Sequence, residues 1–323
     1  MRILGIETSC DETGIAVVED GRRVLANEVA SQVAIHAAFG GVVPEIASRQ
    51  HTECIYQLTE IALEKGGGKP DAIAATHGPG LMGSLMVGVN FAKALAYTWR
   101  IPYVPVHHLE GHIFSVFLAE DAPTFPFLAL IVSGGHTCLI RCDKPHQYEL
   151  LGTTRDDAVG ECFDKVARLL NLSYPGGPSV QRAAEGGDPK AIAFPRSMVA
   201  GDSLEFSYSG LKTAVLYKLR DNGHATADVA ASFQYAAIDI LIRKTQRALE
   251  LTGLPRLVVA GGVAANKLLR ERLAKEMTVP VHIPPFSLCV DNGAMIAAAG
   301  HSRLQHGFTG DLRSTARSTW PLA

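Results

Sequence analysis

Leu128-Ala129-Leu130-Ile131-Val132 runs into Ser133-Gly134-Gly135-His136-Thr137 and out through Cys138-Leu139-Ile140. An apolar run, a polar glycine turn and a second apolar run read as a β-hairpin. The same design stands at the start of the chain. There Ile3-Leu4-Gly5-Ile6-Glu7 passes through Thr8-Ser9-Cys10-Asp11-Glu12-Thr13-Gly14 to Ile15-Ala16-Val17-Val18, with acids at the tip. A second pair of segments follows in each half. Ala72-Ile73-Ala74-Ala75-Thr76 enters His77-Gly78-Pro79-Gly80 and a long helix, and Leu257-Val258-Val259-Ala260 enters Gly261-Gly262 and a helix through Asn266 to Lys275. Hairpin, then strand, glycine turn and helix, in that order in both halves, predicts a duplicated α/β architecture of two lobes with a central cleft.

The 323 residues are 47% hydrophobic and 19% charged, more chain than one core usually holds, so two lobes are expected on size as well. No apolar run of about 18 residues occurs, and the N-terminal stretch turns acidic at Glu7. A membrane span and a signal peptide are therefore not expected, and a cytoplasmic location is. The six cysteines lack metal-type spacing and read as reduced thiols. A net charge of -2 gives no strong overall pull on nucleic acid. Local basic clusters (Arg243, Lys244 and Arg247; Arg270, Arg272 and Lys275; Arg313 and Arg317) read as solvated faces or as patches for a polynucleotide.

A Ser-Gly-Gly turn after a buried strand leaves amides that a phosphate or acyl group can approach. Gly261-Gly262 offers the same beside a helix start. Neither carries a P-loop lysine or the dinucleotide pattern, and each alone reads equally as a plain turn. His108 and His112 stand four apart, on one face of a helix whose Leu109, Ile113, Val116 and Phe117 form a buried stripe. They can simply pack, or share a metal whose third ligand comes from elsewhere. Asp291 opens the last helix, Asn292 to about Gln305, either as its N-cap or, given the duplication, as that third ligand. Val159, Phe163, Val166 and Leu170 form an apolar face opposite Asp157, Glu161, Asp164 and Arg168, which read as solvated ion pairs. Tyr174-Pro175-Gly176-Gly177-Pro178 reads as a rigid turn.

Several motifs occur together: Glu7-Thr8-Ser9-Cys10-Asp11-Glu12-Thr13, Gly40-Gly41-Val42-Val43-Pro44-Glu45, His108-Leu109-Glu110-Gly111-His112, Ile131-Val132-Ser133-Gly134-Gly135-His136-Thr137, Asp157-Ala158-Val159-Gly160-Glu161, Ser209-Gly210-Leu211-Lys212-Thr213, Ala260-Gly261-Gly262-Val263-Ala264-Ala265-Asn266 and Asp291-Asn292-Gly293-Ala294-Met295. In this order, over essentially the whole chain, they resemble the TsaD family of tRNA adenosine threonylcarbamoyltransferases. The resemblance implies an actin-like ATPase fold of the sugar-kinase and Hsp70 kind (ASKHA). One lobe is then expected over 1–106 with about 291–323, and the other over 107–290.

It further implies transfer of threonylcarbamoyl from threonylcarbamoyl-AMP to the N6 amine of the adenosine next to the anticodon, in tRNAs reading codons that begin with A. By the same resemblance, His108, His112 and Asp291 hold iron or zinc. Ile131, Val132, Ser133, Gly134, Gly135, Asp164, Gly177 and Asn266 bind an ATP, ADP or AMP-type nucleotide, and Asp11 and Glu12 sit near the reacting end. The implied partners are tRNA, a TsaB-like paralogue and a TsaE-like ATPase. The glycine-bearing helix from Leu81 to Trp99, with Gly83 and Gly88, is the candidate partner face. Two departures from the family pattern are Gln181, where an aspartate is common near the nucleoside, and a tail over 316–322 without a second arginine.

Other classes fit less well. In a His-Glu-x-x-His protease the acid directly follows the first histidine, and here that place is Leu109. A small-molecule kinase of the same fold would use Mg-ATP, for which two imidazoles and a carboxylate are not the usual ligands. A nucleotide-binding scaffold would never pass threonine to tRNA.

Overall fold

The computed structural model describes every residue except Ala200, Asn222 and Ala323. Along the chain, Arg2–Glu7 (β1), Glu12–Glu19 (β2) and Arg23–Ser31 (β3) form a meander. Val33–Ala37 (α1), Pro44–Lys65 (α2), Ala72–Gly78 (β4), Met82–Trp99 (α3), Tyr103–His107 (β5) and His108–Ser115 (α4) follow. The sheet order is β3-β2-β1-β4-β5, with the meander antiparallel and β4 and β5 added in parallel. The next stretch holds Phe127–Val132 (β6), Thr137–Lys144 (β7), Gln147–Thr153 (β8), Val159–Leu169 (α5), Gly176–Ala183 (α6), Ser209–Arg220 (α7), Thr226–Thr252 (α8), Leu257–Ala260 (β9), Lys267–Glu276 (α9) and Val281–His282 (β10). Its sheet order is β10-β9-β6-β7-β8. The β6 to β8 strands are again an antiparallel meander, and β9 and β10 are again parallel additions. The duplication expected from the sequence is therefore present strand for strand.

Phe286–Cys289 (α10) and Gly293–Gln305 (α11) close the chain's ordered elements. The two compact units are Met1–Pro123 with Pro284–Ala323, and Thr124–Ile283. The borders differ from those expected at 106/107 and 290/291. Helix α4 stays with the first unit because it packs on α11, where Gly111 leaves room for Ile296 and Met295.

The first sheet is covered on both faces, which is why β1 and β4 are apolar through their middles, Ile3 to Ile6 and Ala72 to Ala75. Ile3, Ala72 and Ala74 point to α11, while Leu4, Ile6, Ile73 and Ala75 point to α2 and α3. Each of these large side chains contributes about 1.5–3 kcal/mol by leaving water. Gly5 and Gly14 bring α11 down onto the strands, since a Cβ on either would overlap the backbone around Gly293. That contact fixes the start of α11, and with it the residue just ahead, Asp291.

Helix starts differ from the expectations in two places. Residues Gly262–Ala265 form a 3-10 turn and Asn266 is the N-cap of α9 rather than a residue within it. The glycines of Tyr174–Pro178 begin helix α6 instead of ending a free turn. Among the described residues no helix is long and apolar enough to cross a membrane.

Candidate metal centre and glycine loops

Helix α4 is short and entirely buried, and it carries His108 at its first position and His112 at its fifth. Asp291 lies ahead of α11, but Asn292 is that helix's cap, its side chain accepting from Met295 N at 3.0 Å. The N-cap reading of Asp291 is thus corrected, and its carboxylate instead faces the two imidazoles. Asp291 Oδ1 lies 3.3 Å from His112 Nε2 and 3.7 Å from His108 Nε2. The three ligand atoms fall within 4.8 Å of one another.

Does this set fit a metal? Two ligands at about 2.1 Å from a tetrahedral ion stand roughly 3.4 Å apart, close to the spacing seen. Among the described residues neither ring nitrogen of the fully buried His112 makes a hydrogen bond, and the only charged group its Nε2 faces is Asp291 at 3.3 Å. A buried imidazole without a hydrogen bond on either nitrogen is costly unless a ligand takes one of them. Two imidazoles and a carboxylate also match the donor set of non-haem iron and of catalytic zinc. The residues fit.

The supporting shell includes Glu7, whose role was not expected from the sequence. His108 Nδ1 lies 3.1 Å from Glu7 Oε2 and 3.1 Å from Ser9 Oγ. Glu7 Oε2 also accepts from Thr76 Oγ1 at 2.6 Å, and its other oxygen accepts from Ser9 N. A carboxylate behind the imidazole directs Nε2 to the ion and raises its basicity. Burial pulls His108 down, but Asp291 and Glu7 outweigh it and raise it to about 9. The sequence signal was an acid directly following the apolar run Ile3 to Ile6, which must have a partner if it is buried with that run.

Asp11 and Glu12 sit at the hairpin tip beside this centre, Asp11 buried and Glu12 opening β2. Burial, and then the charges of Asp11 and Asp291, push Glu12 up to about 9. His51 of α2 holds the tip in place. Its Nε2 bonds Cys10 O at 3.0 Å and its Nδ1 lies 2.7 Å from Thr13 Oγ1. Since the carbonyl only accepts, Nε2 carries the proton and Thr13 donates to Nδ1. Burial lowers His51, keeping it neutral. Glu110 points elsewhere, buried and paired with Arg303 at 2.9 Å.

In the second unit Ser133 to Gly135 follow β6 and Asn266 comes after the turn that follows its parallel neighbour β9, while Asp164 lies in α5 and Gly177 in α6; the carboxyl ends of such strands are where α/β sheets bind ligands. Ile131 and Val132 are fully buried, so their side chains face the core. Gly134 and Gly135 are open, with nothing near a Cβ on either. Gly261, at φ +97, lies against the Val132 carbonyl, where a Cβ would overlap it. Asp164 Oδ1 accepts from Gly176 N at 2.6 Å, which places Gly177 on an open turn beside it. The Asn266 side chain caps Leu269 N at 3.1 Å and donates to Gln234 at 2.9 Å. Gln181 accepts from Lys267 N at 2.9 Å, tying α6 to the same helix start.

Most of the basic clusters are occupied internally. Arg243 and Arg272 pair with Asp239, and Arg272 also with Glu276. Arg247 pairs with Asp202 and Glu250, and the buried Lys244 bonds the carbonyls of Met198 and Ser203. The expected basic faces over 243–247 and 270–275 are therefore mostly ion-pair networks. Gly83 and Gly88 also turn inward, to Ser48 and Thr8.

Comparison with known proteins gives a consistent result. The family model for tRNA N6-adenosine threonylcarbamoyltransferase (TsaD) matches residues 23–298. A tRNA N6-adenosine threonylcarbamoyltransferase of Trichlorobacter lovleyi is 52% identical over 333 residues, covering 100% of this chain and 97% of that protein. Among solved structures, HypF of T. kodakarensis has a TM-score of 0.65 at 15% identity, covering 94% of this chain and 48% of its own. A ROK family glucokinase from Streptomyces griseus has a TM-score of 0.51 at 11% identity, covering 93% and 98%. These structural likenesses show the fold alone, the duplicated ASKHA type.

Proposed function

This chain belongs to the tRNA N6-adenosine threonylcarbamoyltransferase family, and we propose that its metal centre and its glycine loops divide the work of that transfer. It is an acyltransferase that places threonylcarbamoyl on N6 of a tRNA adenosine. The observation that carries the reading is the convergence of His108, His112 and Asp291, with Glu7 behind His108.

The substrate is threonylcarbamoyl-AMP, a mixed anhydride. The N6 amine attacks its carbamoyl carbon, the C–O bond to phosphate breaks, AMP leaves, and the amine proton passes to a carboxylate. Because the acyl group is already activated, positioning and charge stabilisation supply most of the rate. Asp11 or Glu12 takes the proton as the new bond forms, Glu12 only from the ionised fraction that its raised pKa leaves at neutral pH. Ser133, Gly134 and Gly135 offer amides to the adenylate's phosphate, and Asp164, Gly177 and Asn266 line the nucleotide's place. His108, His112 and Asp291 hold one Fe(II) or Zn(II), which when bound supplies Lewis acidity toward phosphate or acyl oxygens.

The partners are tRNA, a TsaB-like paralogue and a TsaE-like ATPase, in the cytoplasm. For the paralogue we assign the groove between α2 and α3, lined by Thr52, Ile55, Tyr56, Met86, Asn90 and Phe91. Tyr56 and Met86 are exposed there, while Gly83 and Gly88 serve internal packing. Incubating the protein and its partners with tRNA and threonylcarbamoyl-AMP labelled in threonine tests the activity. Label in tRNA with AMP released supports the transfer; ATP consumption with phosphorylation of an added sugar, and no label in tRNA, contradicts it.

A further inference from the structure

His107 caps helix α4, its Nδ1 accepting from Leu109 N at 3.1 Å. The ring proton therefore sits on Nε2, which donates to the carbonyl oxygen of Trp320 at 2.8 Å. Trp320 belongs to a segment that returns from α11 to the carboxyl ends of β4 and β5. Arg317 N donates to His77 O at 2.8 Å and Gly80 N to Ser318 O at 3.2 Å. Lys93 Nζ donates to Ser314 O, and Ala316 is buried against Leu85 and Val89. The Trp320 ring stands 5.8 Å from that of His77 and 5.1 Å from that of His107, with the Arg317 guanidinium 5.5 Å from its centre. The fit is close, since a Cβ on Gly78 would overlap Arg317 O.

We propose that this C-terminal segment is a positioning strap for the metal-binding helix, acting through the bond from His107 to the Trp320 carbonyl. Helix α4 has eight residues, too few for much stability of its own. Its start is therefore defined by its cap, and both imidazoles lie within five residues of that cap. A cap held from outside the helix sets where His108 and His112 stand relative to Asp291. His107 and Trp320 supply no ligand atom; they are positioning residues. The proposal rests on the reading of His108, His112 and Asp291 as metal ligands, and nothing in it requires the segment to touch tRNA.

Cobalt(II) titrated into the metal-stripped full chain tests it, with the visible absorption band reporting ligand geometry and chelator competition giving affinity. A chain ending at Ser318 binds cobalt about 10-fold or more weakly, with a shifted band, as do other losses of support behind metal ligands. Trp320→Ala lies between this and the wild type. His107→Gln, which keeps an acceptor and a donor, stays closer to the wild type than His107→Leu. Wild-type affinity and spectrum in the shortened chain overturn the strap. If thermal melting shows that the shortened chain does not fold, wild-type affinity in both Trp320→Ala and His107→Leu overturns it instead. Should the wild type show no cobalt binding that His112→Ala removes, the metal reading falls, and the strap with it.

Discussion

Glu7 Oε2 lies 3.1 Å from Nδ1 of His108, so an acid at the end of the first strand reaches an imidazole 101 residues later. That link joins the first hairpin to α4, and it ties the candidate metal centre to a residue that supplies no ligand.

Replacing this acid tests the dependence. Glu7→Gln keeps the shape and loses the charge behind His108, and metal affinity is expected to fall about 10- to 100-fold. Equilibrium dialysis of the stripped protein against graded zinc checks it; unchanged affinity would remove Glu7 from the centre.

His51 holds the acid tip through Cys10 O and Thr13. In His51→Leu the tip carrying Asp11 and Glu12 loses both anchors while the ligand set is untouched. Transfer should slow about 100-fold, the order expected for a misplacement near 1 Å, with metal content per chain unchanged. A parallel loss of metal and rate would instead place His51 in the metal's support.

Gly5 admits α11 to the sheet. A Cβ there meets the Gly293 carbonyl and the Ala297 amide, neither of which can swing aside. Gly5→Ala should therefore cost about 3 kcal/mol, at the upper end of overpacking effects, and weaken metal binding through Asp291. Denaturant unfolding with a wild-type midpoint would contradict the packing account.

Acid stability follows from Asp239. Burial raises its carboxyl, but Arg272, Arg243 and Arg196 more than offset this and hold it below the usual carboxylate range. A depressed folded pKa means stability fully present above the unfolded value of about 3.9 and lost as pH falls through the lower folded value. Asp239→Asn should lose about 3 kcal/mol at neutral pH, as when one partner of a buried pair is removed, and show a flatter decline below pH 4. An equally steep acid decline in the variant would assign it to other carboxylates.

The duplication was legible because each half writes the same hairpin and the same strand, glycine turn and helix, and the structure repeats both sheets in one order. The histidine pair was legible from its spacing. Less was written locally about what lies behind the site. Glu7, His51 and His107 act through bonds to residues 101, 41 and 213 positions away, and no local periodicity records such pairings. The cap of α11 fell to Asn292 rather than Asp291 because both residue types cap equally well. Arg243 and Arg272 read as a surface stripe, yet both turn to Asp239, a lone acid within a buried helix face that only the fold brings to them.

In the proposed mechanism one ion, held by His108, His112 and Asp291, is required for transfer. This requirement is tested most directly by the initial rate of labelled threonine entering tRNA, measured against metal bound per chain as stripped protein is reloaded. The rate should rise in proportion to a plateau at about one ion per chain, with no rate in the double variant His108→Ala/His112→Ala. Full transfer by the metal-free double variant would contradict it.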